Sequence, residues 1–138
     1  MSKHQALKSL EELAQLSGKY PVDAFIFVRE GLQYTIRKLG KISQGGCKHI
    51  TGRQLCYGLK DYAIHKWGLL ALTVLKQWNI KTTRDFGNIV FMMVDAGWMA
   101  KTDEDKIEDF DDVFDFAIEF NCLGQIDFAL QNNSNLYL

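Results

Sequence analysis

Apolar residues recur at spacings of three and four along most of the chain, the period of helices with one buried face. Ala6, Leu10 and Leu13, with Leu7 and Ala14, predict a first helix over 5–17 that Gly18 stops, with Glu11 and Glu12 opposite the stripe in water. Pro21 suits the first turn of a second helix, where its missing N–H costs nothing. Phe25, Val28, Leu32, Ile36 and Leu39 form the inner stripe of that helix, Asp23 favours its dipole and Gly40 ends it. Phe27 and Tyr34 lie off the stripe, so two sides of this helix should be covered.

A loop over 41–50 carries Gly45-Gly46. Thr51 and Gln54 then have the spacing of a capping box at the head of a third helix. Leu55, Leu59, Tyr62 and Ala63 face inward up to Trp67, and Gly68 breaks the chain. A short fourth helix runs through Leu69, Leu72, Leu75 and Trp78 and ends near Asn79. Thr82 or Thr83 heads a fifth, with Phe86, Ile89, Val90, Met93 and Val94 as core and Gly97 as its stop.

The period changes after Gly97. Trp98 to Lys101 is short enough for a strand. From 114 to 120 the chain alternates strictly, putting Phe114, Phe116, Ile118 and Phe120 on one side of another. A short helix or turn is expected over 103–112. The fold class is therefore mainly α with a small β-hairpin, a single domain of about five helices. Its parts would be an N-terminal helical pair (1–40), a winged-helix-like unit (51–120) and a tail (125–138). Helices at 51–66, 69–78 and 83–97 followed by a hairpin give the order of a winged helix.

Composition fits a globular chain: of 138 residues, 47% are hydrophobic and 12% aromatic, too apolar for disorder. No apolar run approaches the roughly 18 residues that cross a membrane, and the N-terminus lacks a signal peptide's apolar core. A cytoplasmic protein is expected. Cys47, Cys56 and Cys122 cannot all pair within the chain, so reduced thiols are expected, with Cys56 facing inward.

Charge changes the picture more. The net charge of −1 hides a split: residues 1–102 hold 15 of the 16 Lys/Arg against 7 of the 17 Asp/Glu, a balance of +8. Residues 103–138 hold Lys106 against 10 acids, a balance of −9. Asp103, Glu104, Asp105, Glu108, Asp109, Asp111 and Asp112 form an acidic segment suited to docking on basic surface, of the same chain, a second copy or another protein. A non-enzymatic protein–protein interaction domain is the leading expectation.

The alternative is an RNA- or phosphate-binding protein. Residues 37–53 carry Arg37, Lys38, Lys41, Lys48 and Arg53 with His49 and no acid. Lys48, His49 and Arg53 surround the helix start at Thr51 and Gly52, where free N–H groups attract anions. DNA reading in the ordinary winged-helix mode is not favoured: the expected recognition helix offers Arg84 and Asn88 amid apolar residues, and an acidic wing repels phosphate.

Little else carries chemistry. Cys47, His49, Cys56 and His65 match no recurrent zinc spacing, and the acidic stretch lacks the calcium-loop order. No cofactor, metal site or membrane association is expected. Asp61 and His65 lie four apart on one helix, a spacing suited to a hydrogen-bonded surface pair. Phosphate-loop, dinucleotide and nucleophile-elbow motifs are absent, so nothing signals catalysis. A cleft gathering His49, His65 or Asp61 with other polar groups would reopen that question. Trp67, Trp78 and Trp98 each close a predicted helix, a place that packs helix ends together.

The ordered runs Phe27-Val28-Arg29-Glu30-Gly31-Leu32-Gln33-Tyr34-Thr35, His49-Ile50-Thr51-Gly52-Arg53-Gln54-Leu55, Asp61-Tyr62-Ala63, Trp67-Gly68 and Thr73-Val74-Leu75 are followed by Asp85-Phe86-Gly87-Asn88-Ile89-Val90-Phe91, Ala96-Gly97 and Lys101-Thr102-Asp103-Glu104-Asp105. Together with Phe114-Asp115-Phe116, this order resembles the Minf-type family of small uncharacterised bacterial proteins, over about residues 20–120. The resemblance implies no activity. Arg53, whose place in that pattern is commonly not basic, and the tail after Phe120 depart from it.

Overall fold

The computed structural model describes residues 8–42 and 49–120. Six α-helices run in order: α1 (Leu10–Ser17), α2 (Val22–Ile42), α3 (Gly52–Trp67), α4 (Ala71–Gln77), α5 (Thr83–Asp95) and α6 (Phe116–Glu119). Two 3-10 segments, Gly68–Leu70 and Ile107–Phe110, join them.

All five expected helices form. Ser9 caps α1 through a reciprocal pair with Glu12, at 3.1 and 2.8 Å, so Glu12 does more than face water. The helix expected over 5–17 begins only at Leu10, because Ser9 takes extended backbone to cap it, and the chain leaves α1 through Gly18 at φ 62°. Thr51 and Gln54 close the anticipated box on α3, at 3.0 and 2.9 Å. Asp85 serves α5 from its third position, accepting from the Thr82 N–H at 3.0 Å.

Phe25, Val28, Leu59, Leu75, Ile80, Phe86, Ile89 and Met93 are fully buried and make one core among α2, α3, α4 and α5. α2 and α3 meet closely because both offer small residues. A Cβ on Gly31 would come within 2.3 Å of Leu59 Cδ2, and one on Gly58 within 1.9 Å of Thr35 Oγ1. Phe27 is buried as well, stacked on Tyr62 and tilted against Trp67 and Trp78, so α2 is indeed covered on two sides. Trp67 and Trp78 meet edge to face at 5.4 Å, which packs the ends of α3 and α4 together.

The expected hairpin is wrong. No strand occurs among the described residues. After α5, the N–H groups of Trp98 and Met99 turn back onto the Met93 carbonyl instead of entering a ladder. The alternating stretch forms α6: Asp115 accepts from the Ala117 N–H at 2.7 Å, and one helical turn follows. Phe116 and Phe120, four apart, then share a face with ring centroids 5.0 Å apart, while Ile118 is 70% exposed. A strand needs a neighbour to satisfy its backbone, and none is present among the described residues. Without a hairpin there is no wing, and the winged-helix-like reading of 51–120 falls with it. The short helix expected within 103–112 does form, at Ile107–Phe110. The expected tail at 125–138 lies outside the described residues.

Candidate functional site

The acidic segment is fastened to the body by an aromatic residue. Phe110 is 3% exposed and lies against two glycines. A Cβ on Gly52, at the head of α3, would approach Phe110 Cε1 to 2.9 Å, and one on Gly87 of α5 would approach Phe110 Cβ to 2.7 Å. Thr83, fully buried at the start of α5, locks the backbone on either side. Its hydroxyl donates to the Phe110 carbonyl at 2.6 Å and accepts from the Val113 N–H at 3.1 Å. Val113 completes the anchor as a core residue.

The acids divide around this wedge. Asp105 Oδ1 lies 3.3 Å from His49 Nε2, an ion pair when the imidazole is protonated, and its other oxygen caps the turn at Thr102. Asp109 accepts from the Lys106 N–H at 3.0 Å, starting the 3-10 helix. Asp111 pairs with Arg84 at 2.7 Å, with Glu108 adding to the field at that guanidinium. Beyond the segment, Glu119 pairs with Lys60 at 2.9 Å. Asp103, Glu104, Glu108 and Asp112 are exposed, Asp112 with left-handed backbone at φ 50°.

The candidate anion-binding residues are only partly gathered. His49, Thr51 and Gly52 lie together, with Asp105 on the imidazole and Asp109 and Phe110 packed against Gly52. The chain's own acidic segment thus occupies the head of α3. Arg53 turns the other way, over the Tyr57 ring at 5.5 Å, into a groove between α2 and α3 with Lys38 and Lys60. Lys48 lies outside the described residues. Asp61 turns to α2, taking a hydrogen bond from Tyr34 at 3.1 Å and an ion pair from Lys38, while His65 lies beside the Tyr34 ring.

A cleft of about 330 Å³ opens next to the His49–Asp105 pair. Leu32 and Ile36 of α2, Leu55 of α3 and Val90, Phe91 and Val94 of α5 wall it. Trp98 and Met99 extend the apolar lining, and His49, Thr51, Lys101, Asp105 and Asp109 supply polar groups. An apolar cleft with a few polar groups at its margin has the make-up of a small-ligand site.

The strongest buried polar cluster was invisible in the sequence. Asp85 is 5% exposed. It accepts from Tyr20 Oη, from the Lys81 and Thr82 N–H groups at 2.8 and 3.0 Å, and from Lys19 Nζ at 3.1 Å. Burial opposes its ionisation, but these donors together hold it below the usual carboxylate range. Asn88 donates to Tyr20 Oη at 3.0 Å, and Arg84 Nε to Asn88 at 3.4 Å, so the chain of bonds runs on to Asp111. Thr82 was a candidate head for α5, but nothing marked Asp85 as its partner or Tyr20, 65 residues before Asp85 in the chain. Cys56, fully buried, has its thiol pushed up to about 12 by burial, against a small pull from Arg53.

Among the described residues, no group of three or more His, Cys, Asp or Glu could hold a metal ion. No described helix is long and apolar enough to cross a membrane. No family model, curated protein or solved structure matches this chain.

Proposed function

We propose that this chain is a non-enzymatic protein–protein interaction domain that offers a fixed acidic face to a basic partner. One observation carries the reading: the acids of this segment differ in whether the chain itself engages them. Asp105, Asp109 and Asp111 are engaged within the chain, whereas Asp103, Glu104, Glu108 and Asp112 stand in water on a segment held by Phe110. A rigid array of like charge sets partner choice and encounter rate. The partner we commit to is a second copy, whose first 102 residues carry the complementary balance of +8. A cytoplasmic setting and kinship with the Minf-type family belong to the same proposal. The family likeness rests on the ordered motifs from Phe27 to Phe116.

Sedimentation velocity from roughly 50 to 500 mM salt tests it, since screening spans that range. The expected result is self-association at low salt that weakens as salt rises and is lost in a D103N/E104Q/E108Q/D112N variant. A monomer at every salt concentration, with parent and variant alike, overturns it.

A second reading, anion binding, is favoured by a different observation. Arg53 and Lys60 flank the Tyr57 ring at 5.5 and 5.3 Å in the groove that also holds Lys38. Cations around a half-buried aromatic ring at a groove suit phosphates and a stacked base. Titration with single-stranded RNA, comparing the parent with a K48A/R53A variant and a K38A/R53A variant, decides it. Equal weak binding by all three ends that reading.

A further inference from the structure

We propose that the cleft among α2, α3 and α5 is a binding site for a small amphipathic amine, an apolar body with a cationic head. The inference is independent of the docking reading, because the four carboxylates that test that reading are not those at the cleft.

Size sets the first limit. A volume of about 330 Å³ lies at the lower end for ligand sites, which selects a small molecule over a peptide. The walls set the second. Leu32, Leu55, Val90, Val94 and Met99 present aliphatic surface, so the buried part of the ligand is hydrocarbon.

Charge selects the head group. Asp105 and Asp109 line the cleft, and both are fixed there by the Phe110 wedge and by their caps on Thr102 and Lys106. Lys101, the cation on the same margin, is exposed and makes only a 3.4 Å bond to the next carbonyl, so it swings free at little cost. His49 is already set against Asp105. Asp105 already shares Oδ1 with His49, so a ligand's ammonium would join that pair, and the fixed negative charge of Asp105 and Asp109 favours it over a carboxylate or a neutral head.

Three probes that differ only at the head test this: n-octylammonium, n-octanol and n-octanoate. Each is titrated into the full chain while the methyl resonances of Leu55, Val90, Val94 and Met99 are followed by NMR. All four methyls should shift, with octylammonium binding about tenfold more tightly than octanoate, the value of one charge-assisted hydrogen bond. In a D105N/D109N variant that preference should vanish while octanol affinity holds. Val94→Trp should block all three probes; its amide spectrum reports whether it folds, and the asparagine variant decides the matter if it does not. Absence of cleft shifts with every probe, or tighter binding of octanoate, overturns the proposal.

Discussion

Asp85 and the carboxylates of residues 103–112 are the same chemical group in opposite settings. Asp85 is buried, meets donors from four residues and joins α5 to the turn before α2. The acids of the later segment sit at the surface, each with one cation or none. What fixes their segment is Phe110, not charge. In this molecule a carboxylate holds the fold where water is excluded, and where water enters it describes a surface.

The contrast is broken most directly by removing the wedge. Phe110→Ala should cost about 3–5 kcal/mol in urea unfolding, as expected for an emptied aromatic site. Gly87→Ala attacks the same contact from the other side, since its Cβ would fall 2.7 Å from Phe110 Cβ; overpacking of that kind costs about 1–3 kcal/mol. Either variant leaving stability unchanged would mean that the segment is not held by this contact.

Asp85→Asn should cost about 3 kcal/mol near neutral pH, because buried donors lose a charged acceptor. The pH dependence sharpens the comparison. The folded carboxyl has a lowered pKa, so the unfolded chain binds more protons in the acid range and stability rises with pH there. The gap between parent and variant should therefore be constant above about pH 5 and close as pH falls below about 4. A gap that persists undiminished in acid would remove ionisation from the account. The smallest effect belongs to Asp111→Asn, which breaks the exposed pair with Arg84. Its shift in thermal midpoint should be the least of the series and fade at high salt. A loss equal to that of Asp85→Asn would erase the distinction between the two settings.

The sequence made the helices legible because each carries its own local evidence. Period, cap and stop residues coincide at Thr51 to Gly68 and Thr82 to Gly97, whereas the first helix is legible from its stripe and Gly18 alone, and its cap, Ser9, goes unread. The strand at 114–120 failed because alternation is silent about pairing. Phe114, Phe116 and Phe120 cluster on a helical turn as readily as on a sheet, once Asp115 supplies the cap. The site was half legible. His49, Thr51, Gly52 and the acids were singled out, but as separate patches. Their meeting depends on Gly52 and Gly87, whose missing side chains make room for Phe110, and that is a fact of distance rather than of order along the chain.

Gly68 has a consequence of its own. Its backbone, at φ 53° and ψ −121°, lies where side-chain-bearing residues are strained. Residues 52–77, run on without a break, would make a straight rod of roughly 39 Å. The break at Gly68 ends α3 and brings two indoles face to edge. An alanine there would carry that strain, so the meeting of the two indoles rests on a residue that has no side chain.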